Sequence, residues 1–181
     1  MTPINWKIDA THSSVEFSAK HMMFTTVKGR IADVEGSLVA HGDSPAESSL
    51  DVTMKAASID TRTEQRDAHL RSPDFLDAEH FPDITFKSTS STGTREKFRL
   101  TGDLTIRGTT RPVTLDVTYE GGGNDPWGGE RIGFNASGKI DRREFGLVWN
   151  QALETGGLLV GNDIKIQIDA QLVKQTQAAA A

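Results

Sequence analysis

Cysteine is absent from this chain of 181 residues, and so is any long apolar run. Without cysteine the chain has no disulfide, no thiolate metal ligand and no thiol nucleophile. No apolar run approaches the ~20 residues that a membrane-spanning helix needs, so no stable membrane insertion is expected. The net charge of −5 with scattered lysines and arginines excludes the clustered basic patch of a nucleic-acid-binding protein.

A leader segment is also missing from the first residues, which have neither a charged start nor an apolar stretch. The sequence as given therefore predicts a cytoplasmic protein, or a periplasmic or secreted one if the chain is a mature form. Its length favours a single domain over residues 1–174. The tail, residues 175–181, ends in four alanines and is predicted to be disordered.

Motifs for metal, cofactor or nucleophilic chemistry are lacking. The five histidines show no pair at the helical spacing of a zinc protease, and no serine lies in a G-x-S-x-G turn. The run Gly121-Gly122-Gly123 lacks the following Lys-Ser/Thr of a phosphate loop. Arg66, Asp67 and His69 could form a catalytic group, but a local network that fixes a short helix is the simpler interpretation.

Alternation of apolar and polar residues dominates what is present. Between Lys97 and Arg107 one parity is apolar and the other is polar. The apolar parity consists of Phe98, Leu100, Gly102, Leu104 and Ile106. Because successive side chains of a strand point to opposite faces, this stretch predicts a strand with one dry face.

Nine segments predict strands in this way. They are Trp6–Asp9, Ser14–His21, Lys28–Ala40, Ser48–Ala57, Asp83–Ser90, Glu96–Arg107, Pro112–Glu120, Glu130–Ile140 and Asn162–Val173. The parity slips near Ala32–Asp33, which predicts a β-bulge. Short strands separated by turns predict an antiparallel sandwich or barrel.

Two short helices and a glycine-rich loop interrupt the strands. Thr61 and Glu64 form the pattern of a capping box, followed by a helix through Leu70. Ser72 and Pro73 predict a second helix start, whose Phe75 would cover one end of the barrel. Gly121 to Gly129 is predicted to be a loop between two strands.

The inward parity mixes large apolar side chains with alanine and glycine. Small inward residues leave room, so the pattern predicts an elongated cavity, with a solid core as the alternative. Ligand cavities are mostly apolar with a few orienting polar groups. Candidates for these groups are His21, Arg142, Arg143, Trp149 and Asn150. Each also has a purely structural interpretation: a rim histidine, ion pairs with Asp141 and Glu144, or a core tryptophan.

Several segments, in this order and spacing, carry a resemblance that runs nearly from end to end. They include Trp6-Lys7-Ile8-Asp9 with His12-Ser13, Phe17-Ser18-Ala19-Lys20-His21-Met22, Phe81-Pro82-Asp83-Ile84-Thr85-Phe86, Gly102-Asp103-Leu104-Thr105-Ile106-Arg107-Gly108-Thr109-Thr110 and Ile140-Asp141-Arg142-Arg143-Glu144-Phe145-Gly146-Leu147. The chain resembles the YceI-like family of lipocalin-like, polyisoprenoid-binding bacterial proteins. The resemblance implies an all-β, antiparallel lipocalin-like β-barrel of about eight strands with short helical insertions.

The resemblance further implies a binding protein without catalytic residues, cofactor or metal, and often a homodimer. Its ligand would be a polyisoprenoid or another long-chain lipid, carried or stored in the barrel. Strand parity, together with the predicted end cover and mouth, selects the ligand-binding residues. They are Phe17, Ala19, His21, Leu38, Met54, Phe75, Phe86, Leu104, Leu115, Phe134, Arg142 and Trp149.

Two other functions remain open at this point. One is a stress-related protein that sequesters lipophilic small molecules such as antibiotics. The other is an enzyme or metal-binding protein that uses Arg66, Asp67 and His69 or ligands assembled across loops.

Overall fold

The computed structural model describes residues 2–176, which form a closed antiparallel β-barrel. Its strands are β1 Ile4–Ile8, β2 Ser14–His21, β3 Thr25–Ile31, β4 Val34–Ala40, β5 Ser49–Lys55, β6 Ile59–Asp60, β7 Asp83–Gly93, β8 Lys97–Ile106, β9 Thr109–Asn124, β10 Glu130–Asp141 and β11 Asp163–Lys174. The α-helix of these residues is α1, Glu64–Arg71. Short 3₁₀ turns lie at Ala10–His12, Pro45–Glu47, Ala56–Ser58 and Arg142–Phe145.

The barrel has eight strands around its circumference, because six of the eleven strands join end to end in pairs and form three long, bent strands. β1 and β2, β3 and β4, and β5 and β6 each continue one another, and β1 and β2 both pair with β11 to close the ring. Closure satisfies the edges that an open sheet would expose. The predicted barrel of about eight strands is confirmed, and it matches the all-β class expected from the alternation.

The bend between β3 and β4 and the bend between β5 and β6 meet at one corner of the barrel. The Ala32 amide donates to the Ser58 carbonyl at 3.2 Å, and the Lys55 amide donates to the Asp33 carbonyl at 3.0 Å. The Asp33 amide donates to the Ser58 hydroxyl at 2.9 Å. The irregularity predicted at Ala32–Asp33 is therefore a break between two strands, and hydrogen bonds across the corner replace the regular ladder.

Eight of the nine predicted strands are present with bounds that differ by a few residues, whereas the ninth, Lys28–Ala40, is divided into β3 and β4. The largest difference concerns the loop predicted from Gly121 to Gly129. β9 continues through the glycines to Asn124, because Gly121, Gly122 and Gly123 pair with Gly133, Ile132 and Arg131 of β10. The turn itself is short, and the Asp125 carboxylate organises it by accepting the Trp127 and Gly129 amides at 3.0 and 2.8 Å.

The helix predictions are correct for α1 and wrong in two details. Thr63, rather than Thr61, is the residue before the helix, and Thr61 is buried with its hydroxyl and amide bonded to Asp67. The segment after Ser72 forms turns rather than a second helix, and Ser72 closes α1 instead. Phe75 is nevertheless buried, as a cover for the barrel end requires.

The predicted tail begins beyond the last strand. The Gln175 amide donates to the Asn5 carbonyl at 2.7 Å, so hydrogen bonding to β1 continues one residue past the end of β11. Residues 177–181 lie outside the described part of the chain.

Candidate ligand-binding cavity

A cavity of about 1140 Å³ extends through the interior of the barrel. This volume exceeds the ~300–1,000 Å³ of pockets for drug-sized ligands. A strand of 10 residues such as β8, tilted as barrel strands are, spans about 25 Å along the axis. The interior is therefore long as well as large, and its wall is predominantly aliphatic and aromatic.

All twelve residues predicted for ligand binding lie on the wall of this cavity. Most of them come from strands, where the pleat turns every second side chain inward. Phe75 and Trp149 come from the irregular segments that cover one end. Their contact with a ligand remains a prediction, but their common position confirms the assignment of strand parity.

The predicted role of the glycines is only partly correct. A Cβ atom built at Gly102 would overlap Phe86 Cζ. One built at Gly36 would lie 2.7 Å from Ile8 Cδ1. Neighbouring large side chains therefore fill the space that these glycines leave. The open volume is bounded instead by alanines such as Ala19, Ala40 and Ala136 and by half-buried strand residues.

One end of the barrel, here called the helix end, carries α1 and the segment 142–162. Three rings pack together there: His69 to Trp149 at 4.6 Å between centroids, His69 to Phe75 at 5.0 Å, and Phe75 to Trp149 at 5.4 Å. All three line the cavity. They form an aromatic cover, as predicted for Phe75.

Arg142 lies beneath this cover and is almost fully buried, with 3% of its surface exposed. Its guanidinium donates to the carbonyls of Leu147 at 2.6 Å, Trp149 at 2.9 Å, Gly161 at 3.0 Å and Val160 at 3.4 Å. Burial lowers the pKa of Arg142 from its ordinary value. The guanidinium thus fixes the segment 142–162 to the barrel, and backbone carbonyls engage all three of its nitrogens.

The other polar candidates at this end also serve structure. Arg143 pairs with Asp141 at 2.6 Å, and the Arg143 guanidinium and amide hold the pKa of the Asp141 carboxyl at about 2. The side chain of Asn150 bonds both the carbonyl and the amide of Val160, at 2.8 and 3.0 Å. These residues therefore do not face a ligand through free polar groups.

Arg66 lines the cavity, a position that the sequence does not predict for it. It is half-buried on α1, and it donates to the Thr61 hydroxyl and carbonyl, both at 2.7 Å. Within residues 2–176 it forms no ion pair. The Asp67 carboxylate is buried and accepts bonds from the amide and hydroxyl of Thr61 instead. Only the way α1 folds over the barrel end reveals this position.

His69 does not bond to Asp67, as the catalytic interpretation of Arg66, Asp67 and His69 would require. Its Nε2 lies 2.9 Å from an Asp74 carboxylate oxygen. The local network favoured from the sequence is therefore what forms, although Thr61 rather than His69 is its centre. Across the described residues, no group of three or more His, Asp or Glu side chains is arranged to hold a metal ion.

The opposite end, here called the hairpin end, carries the turns at 94–96 and 125–129. Its charged cavity residues are paired: Arg95 with Asp43 at 2.9 Å, and Arg131 with Asp9 at 2.6 Å and Asp125 at 2.7 Å. Arg95 also lies over the Tyr119 ring, 4.9 Å from its centroid. Within residues 2–176 the two ends thus differ, because carboxylates pair with the arginines of the hairpin end and not with Arg66 or Arg142 of the helix end.

His21 lies where the cavity wall reaches the surface at the helix end. It is the last residue of β2, is exposed, lines the cavity and pairs with Val160 through an isolated bridge. The predicted inward parity of β2 and the predicted mouth position of His21 therefore agree with its place in the barrel.

Comparisons with known proteins agree with this architecture. The sequence matches the YceI-like domain family over residues 6–172. The chain belongs to the YceI-like family. A UPF0312 protein of Photorhabdus laumondii is 43% identical over 143 residues, which cover 78% of this chain and 74% of the relative. Protein YceI of Escherichia coli O157:H7 is 40% identical over 145 residues, 79% of this chain and 76% of that protein.

Solved structures show the same fold for this YceI-like chain. Burkholderia cenocepacia BcnA superposes with a TM-score of 0.79 at 23% identity, covering 91% of this chain and 98% of BcnA. A polyisoprenoid-binding domain from Saccharophagus degradans superposes with a TM-score of 0.66 at 12% identity, covering 94% and 98%. Within residues 2–176, no helix has the length and apolarity to cross a membrane.

Proposed function

We propose that this protein binds a long-chain amphiphilic lipid, such as a polyisoprenoid, in the barrel cavity and serves as its carrier or store. The observation that carries the proposal is the long apolar cavity of about 1140 Å³ in a YceI-like barrel. The polyisoprenoid binding of the Saccharophagus degradans domain supports the choice of lipid, as a property of a protein with the same fold.

The energetics of an apolar tunnel favour a long tail. Burial contributes about 0.8 kcal/mol for each CH₂ group. Association costs about 4–15 kcal/mol before any net affinity appears. A tail of about five carbons gains roughly 4 kcal/mol, which does not exceed this cost, whereas a tail of about 20 carbons gains roughly 16 kcal/mol. Because the cavity wall offers few polar groups, we expect the protein to select a tail by its length rather than by its detailed chemical structure.

The residues of the helix end determine which chemical class of lipid head group the protein prefers. Among residues 2–176, Arg66 has no carboxylate partner and lies beside the Thr61 hydroxyl, whereas the arginines of the hairpin end are already paired. An anionic or strongly polar head group gains a charge-assisted hydrogen bond only at the helix end. The tail then extends towards Leu38 and Phe134 at the hairpin end.

Organic extraction of the purified protein followed by mass spectrometry tests the proposal. The expected result is a co-purified amphiphile with a long hydrocarbon tail. For the stripped protein, a series of prenyl alcohols of increasing length should bind with rising affinity until the cavity is full, after which affinity stays constant. The absence of any bound amphiphile, together with no uptake of the added prenyl series, would contradict lipid binding.

Sequestration of lipophilic small molecules is the alternative that the same cavity supports. A fluorescent lipophile displaced by a drug panel but not by prenyl alcohols would favour this alternative. The reverse order of displacement is expected for a lipid carrier, because only a chain fills the length of the tunnel. Metal analysis of untagged protein and an activity screen of His69→Ala test the enzyme hypothesis.

A further inference from the structure

The hairpin between β2 and β3 ends in three consecutive apolar side chains that face solvent. Met22, Met23 and Phe24 are 38%, 64% and 72% exposed, and Leu158 beside them is 42% exposed. These four residues are called the apolar tip. Large apolar side chains grouped at one surface point indicate an interaction site rather than ordinary surface variation.

The apolar tip is held in place rather than frayed. The Met22 amide donates to the Leu159 carbonyl at 2.9 Å, and the Phe24 amide donates to the His21 carbonyl at 3.3 Å. The sulfur of Met23 packs against Gly157. Met22 and Met23 both have positive φ angles, 51° and 72°, a conformation that disfavours residues with side chains. The fold therefore maintains a strained turn that presents apolar groups to solvent.

Lysines surround this hairpin on its outer face. Lys165 of β11 and Lys28 of β3 flank Ser18 of β2 in register, and Lys20 lies two residues closer to the tip. All three are exposed, and within residues 2–176 none forms an ion pair. Glu16 is on the same face further from the tip, and Glu154 is in the segment 142–162. Asp163 is on the same face of β11 as Lys165, two residues nearer the helix end, and it pairs with Lys139 at 3.6 Å. The surface next to the tip is thus locally basic on a protein of net charge −5.

The apolar tip adjoins the place where the cavity reaches the surface. His21 and Leu159, which line the cavity, are chain neighbours of Met22 and Leu158 in the tip. A lipid that enters or leaves beside His21 therefore passes the tip directly.

We propose that the apolar tip is a membrane-contact site for bilayers that contain anionic lipids. Met22, Met23 and Phe24 enter the boundary between head groups and acyl chains, and Lys20, Lys28 and Lys165 contact the lipid phosphates. This places the opening beside His21 against the bilayer, where a lipid can pass without crossing water. That last role rests on the proposed function, whereas membrane contact itself does not.

A bilayer fits the apolar tip better than a second copy of the chain does. A stable protein interface takes about 20–30 residues on each side, whereas the tip offers four apolar side chains. A bilayer surface needs no complementary shape, and its negative surface potential attracts each nearby lysine, which strengthens binding.

Vesicle co-sedimentation of the full chain tests membrane contact. The protein should bind phosphatidylcholine vesicles that contain phosphatidylglycerol more tightly than vesicles of phosphatidylcholine alone. Met23→Ser with Phe24→Ser should weaken binding about tenfold or more. Each of Lys20→Gln and Lys28→Gln should weaken binding to the anionic vesicles about fivefold. The matched control is Trp127→Ser, which removes an 87% exposed aromatic residue at the hairpin end and should leave binding unchanged.

Three results would overturn the proposal. They are a wild-type chain that ignores both vesicle types, a loss of binding in Trp127→Ser but not in the tip variant, and a wild-type dimer that the tip variant alone dissociates. The tip variant should still take up a soluble fluorescent lipophile at equilibrium, because its cavity is intact. Failure of uptake by the wild-type chain would instead count against the proposed lipid binding and leave the vesicle result to decide membrane contact.

Discussion

The phenyl ring of Phe86 occupies the space in which a side chain at Gly102 would lie. A Cβ atom at Gly102 would overlap Phe86 Cζ and would be 2.7 Å from the Lys87 carbonyl oxygen. The glycine at position 102 of β8 therefore leaves the space that the Phe86 ring of β7 occupies. The width of the cavity at this level depends on the pair rather than on either residue alone.

Gly102→Ala should destabilise the barrel by about 1–3 kcal/mol, because the new methyl group forces the Phe86 ring or the β7 backbone to move. Chemical denaturation measures the change. Gly133→Ala is the matched control, since its nearest neighbour would be 3.8 Å from the new Cβ, and it should cost little. In a Phe86→Leu background the cost of Gly102→Ala should shrink, as expected for residues in contact. Equal costs in both backgrounds would contradict the proposed overlap.

Acid should destabilise the protein partly through Asp9. Hydrogen bonds from Thr11, His12 and Arg131 hold the pKa of the Asp9 carboxyl far below its ordinary value of 3.8. Because the folded-state pKa is lowered, the stabilisation is complete above the unfolded-state pKa and is lost as the pH falls towards the folded-state pKa. The contribution is about 1–2 kcal/mol at neutral pH.

The variant Asp9→Asn therefore should be less stable than the wild type at pH 7, and the difference should shrink as the pH falls below about 4. Urea denaturation across this range measures it. Asp103→Asn removes an exposed carboxylate that has no ion pair within residues 2–176, and its curve should run parallel to that of the wild type. A difference for Asp9→Asn that stays constant down to pH 2 would rule out this role.

Trp149 should control exchange at the helix end, since its ring closes the cavity against His69 and Phe75. Trp149→Ala should accelerate release of a bound fluorescent lipophile several-fold and lower stability by about 1–3 kcal/mol, given that the side chain is only half-buried. Trp149→Phe should restore slow release. Stopped-flow measurement gives the release rate, and denaturation gives the stability. If the Trp149 ring has only a structural role, Trp149→Ala should lower the stability without changing the release rate.

Local patterns account for the parts of this molecule that the sequence predicted. Strand parity placed residues as distant as Phe17 and Phe134 on one cavity wall, because the pleat alone decides which side chains point inward. The incorrect N-cap prediction at Thr61 shows the limit of such local patterns. The sequence of α1 alone predicts a capping box, but the Thr61 hydroxyl donates a hydrogen bond to the buried Asp67 carboxylate instead.

Arg66 and Arg142 illustrate the same limit at the candidate site. Arg142 seemed suited to orient a ligand, yet carbonyls that follow it by five to nineteen residues engage its guanidinium. Arg66 was assigned to a helix network, yet it reaches the cavity. Both outcomes depend on how irregular segments fold over the barrel end, a property of tertiary packing that no periodic pattern encodes.

Arg66 should decide whether the protein prefers an anionic head group. A prenyl phosphate should bind the wild type more tightly than the prenyl alcohol of the same length, because the phosphate forms an ion pair with the Arg66 guanidinium, whereas the alcohol offers only a neutral oxygen as acceptor. Arg66→Gln should weaken phosphate binding about tenfold and alcohol binding far less. Arg95→Gln is the matched control at the hairpin end, where Asp43 already pairs with the arginine, and it should leave the preference intact.

If Arg66→Gln weakens the binding of both lipids equally while the protein stays folded, the arginine shapes the cavity without selecting the head group. If Arg95→Gln alone removes the preference, the lipid lies in the opposite orientation, with its head at the hairpin end.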